Sequence, residues 1–278
     1  MKALRKYTNI FRASLIERMT YRGDFLLATF LRFLPMVTTI LLWSAIYQGA
    51  AELDKSQLGS ERIRFSYREM IAYLLLVHIS RMFSSMPGLS PGIAREIRDG
   101  SLKRYLVQPL DMIGYLLAYR VAHKTSYIMA SAFPYALLFY LCRGFFVGLD
   151  PDALTWVAYI VALLFGFVIG FFFEMCMGLI GFWLLEVTSL LYIVMTVNFF
   201  VSGHMFPIDL LPEPWPAILR ALPFSYLAYF PAAVILGKIQ GAALAEGLLI
   251  ALAWAGGLVL LSRWLYRRGL RRYSAYGG

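Results

Sequence analysis

The stretch ALTWVAYIVALLFGFVIGFFFEMCMGLIGFWLLEVTSLLYIVMTVNFFVS, Ala153 to Ser202, decides the class of this chain. Crossing a hydrocarbon core of about 30 Å takes roughly 20 apolar residues in a helix. As a single helix rising about 1.5 Å per residue, the run would reach some 75 Å, more than twice that thickness. It must fold back as two spans. The turn could fall around Glu174 to Gly181, dividing the run evenly, or at Glu186, leaving a long span and then a short one. Ionisable residues at membrane depth are functional candidates. Each glutamate reads more simply as an interfacial turn marker, and spacing leaves both positions open.

Outward from this run, Phe25 to Tyr47, Met70 to Met86, Gly114 to Leu141 and Ala242 to Leu265 each supply one more span. The expected fold is all-α: a polytopic membrane protein with six transmembrane helices in one domain, residues 1–278. Composition agrees, since 60% hydrophobic and 15% charged residues among 278, with a mean hydropathy of +0.66, exceed what a soluble fold carries. The net charge of +10 sits beside the spans rather than on a nucleic-acid face. Lys2, Arg5, Lys6, Arg12, Arg18 and Arg22 precede the first span, and Arg263, Arg267, Arg268, Arg271 and Arg272 follow the last. The positive-inside rule puts both termini in the cytoplasm. Arg95, Arg98, Lys103 and Arg104 place the second connection there too, while the presumed outer loops balance Lys55, Arg62, Arg64 and Arg143 with acidic residues. Nucleic acid is not an expected partner. The first apolar run is too long for a signal-peptide core and reads as a retained span. Cys142 and Cys176 adjoin or lie within apolar runs and suggest no disulfide framework.

Four polar or irregular segments punctuate the spans. In residues 1–22, Leu4, Tyr7, Phe11 and Leu15 recur at helical spacing, with Lys2, Arg5, Asn9 and Arg12 on another face. This is either an interfacial helix over anionic headgroups or a basic flank that sets topology. Arg32 and Pro35 interrupt the first span, and Arg32 lies near enough to its start to snorkel back to the surface, the alternative being a substrate contact. In the connection 87–112, Pro91 and Gly92 open a short helix with Ile93 and Ile97 on one face, and Gly100 stops it. A second turn, Leu102 to Val107, ends before Pro109. Such a unit docks on a soluble partner or remains a solvated loop. Residues 203–236 carry Pro207, Pro212, Pro214, Pro216, Pro223 and Pro231, half of the 12 prolines, which no straight span tolerates. Short half-inserted, re-entrant helices are expected there, or else a proline-rich outer loop. Residues 263–278 form a basic tail.

Catalytic chemistry is absent from the pattern. Gly237-Lys238 is followed by Ile239 and lacks the upstream glycine of a phosphate-cradling loop. His78, His123 and His204 show no metal-ligand spacing, and Ser202-Gly203-His204 puts a serine and a histidine too close in sequence to face each other. An intramembrane protease or acyltransferase, or a non-transporting membrane scaffold, would be the rival readings.

The order of several motifs resembles the permeases of type-2 ATP-binding-cassette (ABC) exporters, in the bacterial antibiotic-resistance and daunorubicin-type branch. The residues concerned are Ile97-Arg98-Asp99-Gly100-Ser101-Leu102 through Leu106-Val107-Gln108-Pro109, Gly178-Leu179-Ile180-Gly181-Phe182-Trp183, Ser202-Gly203, Phe206-Pro207-Ile208-Asp209-Leu210-Leu211-Pro212, Leu222-Pro223-Phe224, Leu236-Gly237-Lys238 and the ending Arg272 to Gly278. The resemblance implies a transport subunit of the bacterial inner membrane that is not itself an enzyme. A separate ABC ATPase would hold ATP and Mg, and a second, identical or homologous permease would complete the pathway for an amphipathic drug, lipid or glycan. It assigns ATPase coupling to Arg95, Glu96, Ile97, Arg98, Asp99, Gly100, Ser101, Leu102, Tyr105, Leu106 and Pro109. It assigns an outer gate to Ser202, Gly203, Pro207, Asp209, Pro212, Pro223 and Phe224, and it favours the fold-back at Glu186. Arg5, Arg12, Arg32, Glu174 and Glu186 are left as membrane-interface residues, and this chain is expected to hold no metal or cofactor of its own.

Overall fold

The computed structural model describes residues 2–20, 22–54, 65–108, 111–184 and 186–273. The chain is 81% helical, with no strand among the described residues. In order, the helices are α1 Lys2–Thr20, α2 Arg22–Asp54, α3 Tyr67–Ser84, α4 Leu89–Arg98, α5 Lys103–Leu106, α6 Met112–Leu141, α7 Ala153–Leu179, α8 Thr188–Val201, α9 Trp215–Ala221, α10 Tyr229–Ile235 and α11 Gly241–Leu270. Among the described residues, three segments are long and apolar enough to cross a membrane: Tyr67–Arg98, Ala153–Phe182 and Gly241–Leu270. Thr188–Val201 is a shorter apolar helix of 14 residues.

Local chemistry explains where the helices start. Ser66 and Glu69 cap α3 reciprocally, the Glu69 amide donating to Ser66 Oγ and the Ser66 amide to the Glu69 carboxylate. Asp111 accepts from the Gly114 amide at 2.9 Å to open α6, and Asp152 accepts from the Thr155 amide to open α7. Asp111 also takes a bond of 2.6 Å from Arg263 of α11. Tyr7 of α1 packs over Gly114, where a side chain would strike its hydroxyl, so α1 lies against the starting end of α6.

Two sequence expectations change. Pro35 does not interrupt the first apolar run: α2 continues through it, as membrane-type helices allow when neighbouring groups satisfy the freed backbone. The 153–202 run breaks at Ile180 to Val187, where a 3-10 turn, Ile180–Phe182, ends α7. Glu186 lies in that break, whereas Glu174 lies inside α7, so Glu174 marks no turn.

The centre of the bundle is α7, flanked by α3, α4, α10 and α11. Gly166, Gly170 and Gly178, with Glu174 between them, recur every four residues and so share one face of the helix. A methyl group at Gly170 would run into the backbone carbonyl of Ser84, and one at Gly166 would lie 3.0 Å from the carbonyl of Tyr226. Ser84 Oγ then donates to the Leu227 carbonyl at 2.7 Å, tying α3 to the 3-10 turn Pro223–Leu227.

Because the atom met at Gly170 is backbone, it cannot swing aside. Gly170→Val is expected to destabilise the chain by about 2 kcal/mol or more. In detergent its thermal unfolding midpoint should fall by several degrees, while Gly256→Ala, which meets open space inside α11, should leave the midpoint unchanged or raise it.

Candidate functional site

The connection between α3 and α6 forms a compact elbow. Gly88, with φ +73°, starts α4 three residues before Pro91, so Pro91 occupies the first turn, where its missing amide costs nothing. Leu89, Ser90, Ile93, Ala94 and Ile97 form the buried face. Gly100, with φ +71°, reverses the chain, and both the Leu102 amide and Ser101 Oγ donate to the Glu96 carbonyl, at 3.0 and 3.5 Å. The reversal buries Leu102 completely and leaves Tyr105 5% exposed. Burial, and then the nearby Glu96 carboxylate, push the Tyr105 hydroxyl up to about 12. It therefore stays protonated and accepts from Arg104 at 2.8 Å. Arg104 also pairs with Glu96.

This elbow sits on the end of α7. A methyl group at Gly178 would lie 2.8 Å from both Ile93 Cβ and the Ser90 carbonyl, and one at Gly181 would lie 3.2 Å from Ala94 Cα. The Glu174 carboxylate accepts from Ser90 and has Arg81 and Arg120 in its field. Glu186, from the connection after α7, meets Arg98 at 3.5 Å. Hydrogen bonds from the Thr188 hydroxyl and from its amide, the latter 2.7 Å, and then the charge of Arg98 hold the Glu186 carboxyl below its usual range, so it is ionised at neutral pH.

The outward side of the elbow is basic and apolar together. Arg95, Arg98, Lys103 and Arg104 are exposed, with Asp99 among them, next to Leu106 at 47% and Val107 at 81% exposure. Of the eleven expected coupling residues, the structure brings ten into this unit. Pro109 lies outside the described residues, as do the side chains of Arg5 and Arg32. Arg12 is exposed on α1.

The expected gate residues divide. Ser202, Gly203 and Asp209 converge in a buried clasp: Tyr73 Oη donates to the Gly203 carbonyl at 2.5 Å, the Tyr229 amide to the Ser202 carbonyl at 3.0 Å, and Tyr229 Oη to Asp209 at 2.7 Å. Asp209 also pairs with Arg220. Pro207 is buried beside it. Pro223 and Phe224 lie on α7, the Phe224 ring 5.3 Å from that of Phe173. Pro212 is exposed.

The sequence reading missed the seat beneath the elbow, although glycines every four residues on α7 are a legible sign of close helix approach. It also missed Tyr73, Tyr229 and Arg220 of the clasp, whose pairing across the chain leaves no local signal. No group of histidine, cysteine and acidic residues suited to a metal occurs among the described residues.

The model of one family, described as ABC-2 family transporter protein, matches residues 33–277. No curated protein matches the chain.

Gly178→Leu is expected to lift α4 from its seat. With cysteines at positions 94 and 181, disulfide formation under mild oxidation should be efficient in the otherwise native chain and fall at least severalfold with the leucine. Equal cross-linking in both would show that the seat is not what holds α4.

Proposed function

The chain belongs to the ABC-2 family of transporter proteins, and from this we propose that it is half of the membrane pathway of an ATP-driven exporter. Membership implies a permease subunit of an ABC transporter that resides in a membrane and works with an ABC ATPase. In our reading it belongs to the antibiotic-resistance and daunorubicin-like branch and sits in the bacterial inner membrane with both termini cytoplasmic. The six spans are α2, α3, α6, α7, α8 and α11, α1 lies on the cytoplasmic interface, and residues 203–236 re-enter from the outside. The cations flanking α1, α4 and the end of α11 support this orientation. Trp254 Nε1 donates to the Ala221 carbonyl at 2.8 Å. Trp254 lies 13 residues into α11 from Gly241, a rise of about 20 Å. Such depth suits re-entrant short helices.

Residues 87–112 are then the ATPase-docking element, and their mixed basic and apolar face suits a groove on a soluble subunit. The observation that carries this is the seat of α4 on Gly178 and Gly181, which joins that face directly to an apolar helix of the bundle. ATP and Mg, held by the partner, close the ATPase pair and move the elbow; α7 carries the movement into the bundle. Two permeases, identical or homologous, alternate between inward-open and outward-open states, driven by differential nucleotide binding. The clasp of Ser202, Gly203, Asp209 and their partners, with Pro207, Pro212, Pro223 and Phe224, serves as outer gate. An amphipathic drug, lipid or glycan fits a pathway between such apolar surfaces.

The chain should copurify with a separate Walker-motif ATPase. Gly100→Val places a β-branched residue at positive φ; ATP hydrolysis by the complex should persist while transport per ATP falls about tenfold, within the range of ordinary coupling energies. Undiminished transport after deletion of residues 95–104 would refute the docking assignment.

A further inference from the structure

Between α9, α10 and the first half of α11 lies a cavity of about 350 Å³, remote from the elbow. Its polar wall comprises Arg220, Lys238, Glu246 and Tyr226, and Phe230 and Ile250 line the apolar side. The cavity depends on Gly247, because any side chain there would strike the Phe230 ring and force α10 and α11 apart.

The charges in this cavity are only partly compensated. Arg220 pairs with Asp209 yet keeps its side chain 51% exposed, and Lys238 pairs with Glu69 at 2.5 Å and stays 29% exposed. Glu246 is exposed and makes no ion pair among the described residues, on a helix whose next charged residue is Arg263. The bond from Trp254 to Ala221 puts the cavity's lower end well along α11, a helix apolar and long enough to cross a membrane. Charges of both signs facing lipid tails are strongly unfavourable. A polar, charged occupant would therefore be favoured in the cavity.

We infer that the cavity receives the zwitterionic headgroup of an aminophospholipid from the leaflet at the end opposite α4. The phosphate would meet Lys238 and the edge of the Arg220 guanidinium turned away from Asp209; five donors leave several to spare. The ammonium would meet Glu246 beside the Tyr226 ring. The acyl chains would run along the exposed Leu249 and Leu252 of α11. At 350 Å³ the space is near the lower end of ligand pockets, about 300 to 1,000 Å³, which suits a headgroup whose chains remain in the bilayer. An anionic phosphatidylglycerol head would bring no cation for Glu246. The inference requires α11 to lie in a membrane and is independent of export.

Native mass spectrometry of the full chain, released from nanodiscs containing equal phosphatidylethanolamine and phosphatidylglycerol, tests it. The wild-type chain should retain one phosphatidylethanolamine with about tenfold preference, as expected where a mismatched charge excludes the wrong ligand. Glu246→Gln, at an exposed position, should bring the preference close to one. Ala243→Trp should fill the cavity and remove the retained lipid, with monodisperse elution confirming its fold. Equal retention of both lipids by the wild type, an unchanged preference in Glu246→Gln, or binding of soluble phosphoethanolamine with no retained lipid would overturn the inference.

Discussion

Close backbone approach along α7 is the constraint on which the arrangement rests. In a bilayer, apolar helices gain little by leaving lipid for one another, so their association depends on van der Waals fit and on hydrogen bonds. Gly166, Gly170 and Gly178, with Gly181 in the 3-10 turn just after the helix, supply that fit at successive levels, receiving Tyr226, Ser84, Ser90 with Ile93, and Ala94 respectively. Ser84 and Ser90 add hydrogen bonds from the same face, to Leu227 and to Glu174. One helix thereby fixes the end of α3, the elbow and the short helices of the opposite end.

Several polar groups within the bundle are answered by groups from other helices. Lys124 of α6 donates to the Met82 and Ser85 carbonyls, both at 2.5 Å, and Arg120 donates to the Pro87 carbonyl at 2.9 Å. Lys124 thus satisfies carbonyls at the end of α3 that have no partner within the helix, while Arg120 holds the connection just after it. Both cations also favour the negative end of the α3 dipole. The rings of His78 and His204 lie 6.0 Å apart, bringing the start of the 203–236 segment against α3.

Much of this architecture was legible because hydrocarbon imposes a length rule. The 153–202 run is too long to cross as one helix, the proline-rich 203–236 stretch had to break into short pieces, and Gly100 had to turn the chain; the break between α7 and α8, the short helices α9 and α10, and the elbow correspond. Glu174 reads as a turn marker because a carboxylate inside an apolar run looks like a break, whereas it lies within α7 and its partner Ser90 lies 84 positions earlier. The sequence opens α4 at Pro91 and the structure at Leu89, because proline signals a first turn without saying which of its positions it takes. The Asp209 clasp was half visible. Asp209 stood in a recognisable motif, but Arg220, Tyr229 and Tyr73 reach it only through the tertiary fold.

The brevity of α8 bears on the surrounding lipid. Its 14 residues rise about 21 Å, less than the usual hydrocarbon thickness of about 30 Å. Glu186 precedes it and Ser202 follows it, so polar backbone brackets an apolar length some 9 Å too small. If α8 crosses, the two leaflets must pinch together beside it. This hydrophobic mismatch would make the chain sensitive to acyl length, favour thin membranes, and shorten the path of any amphipathic molecule moving along that flank.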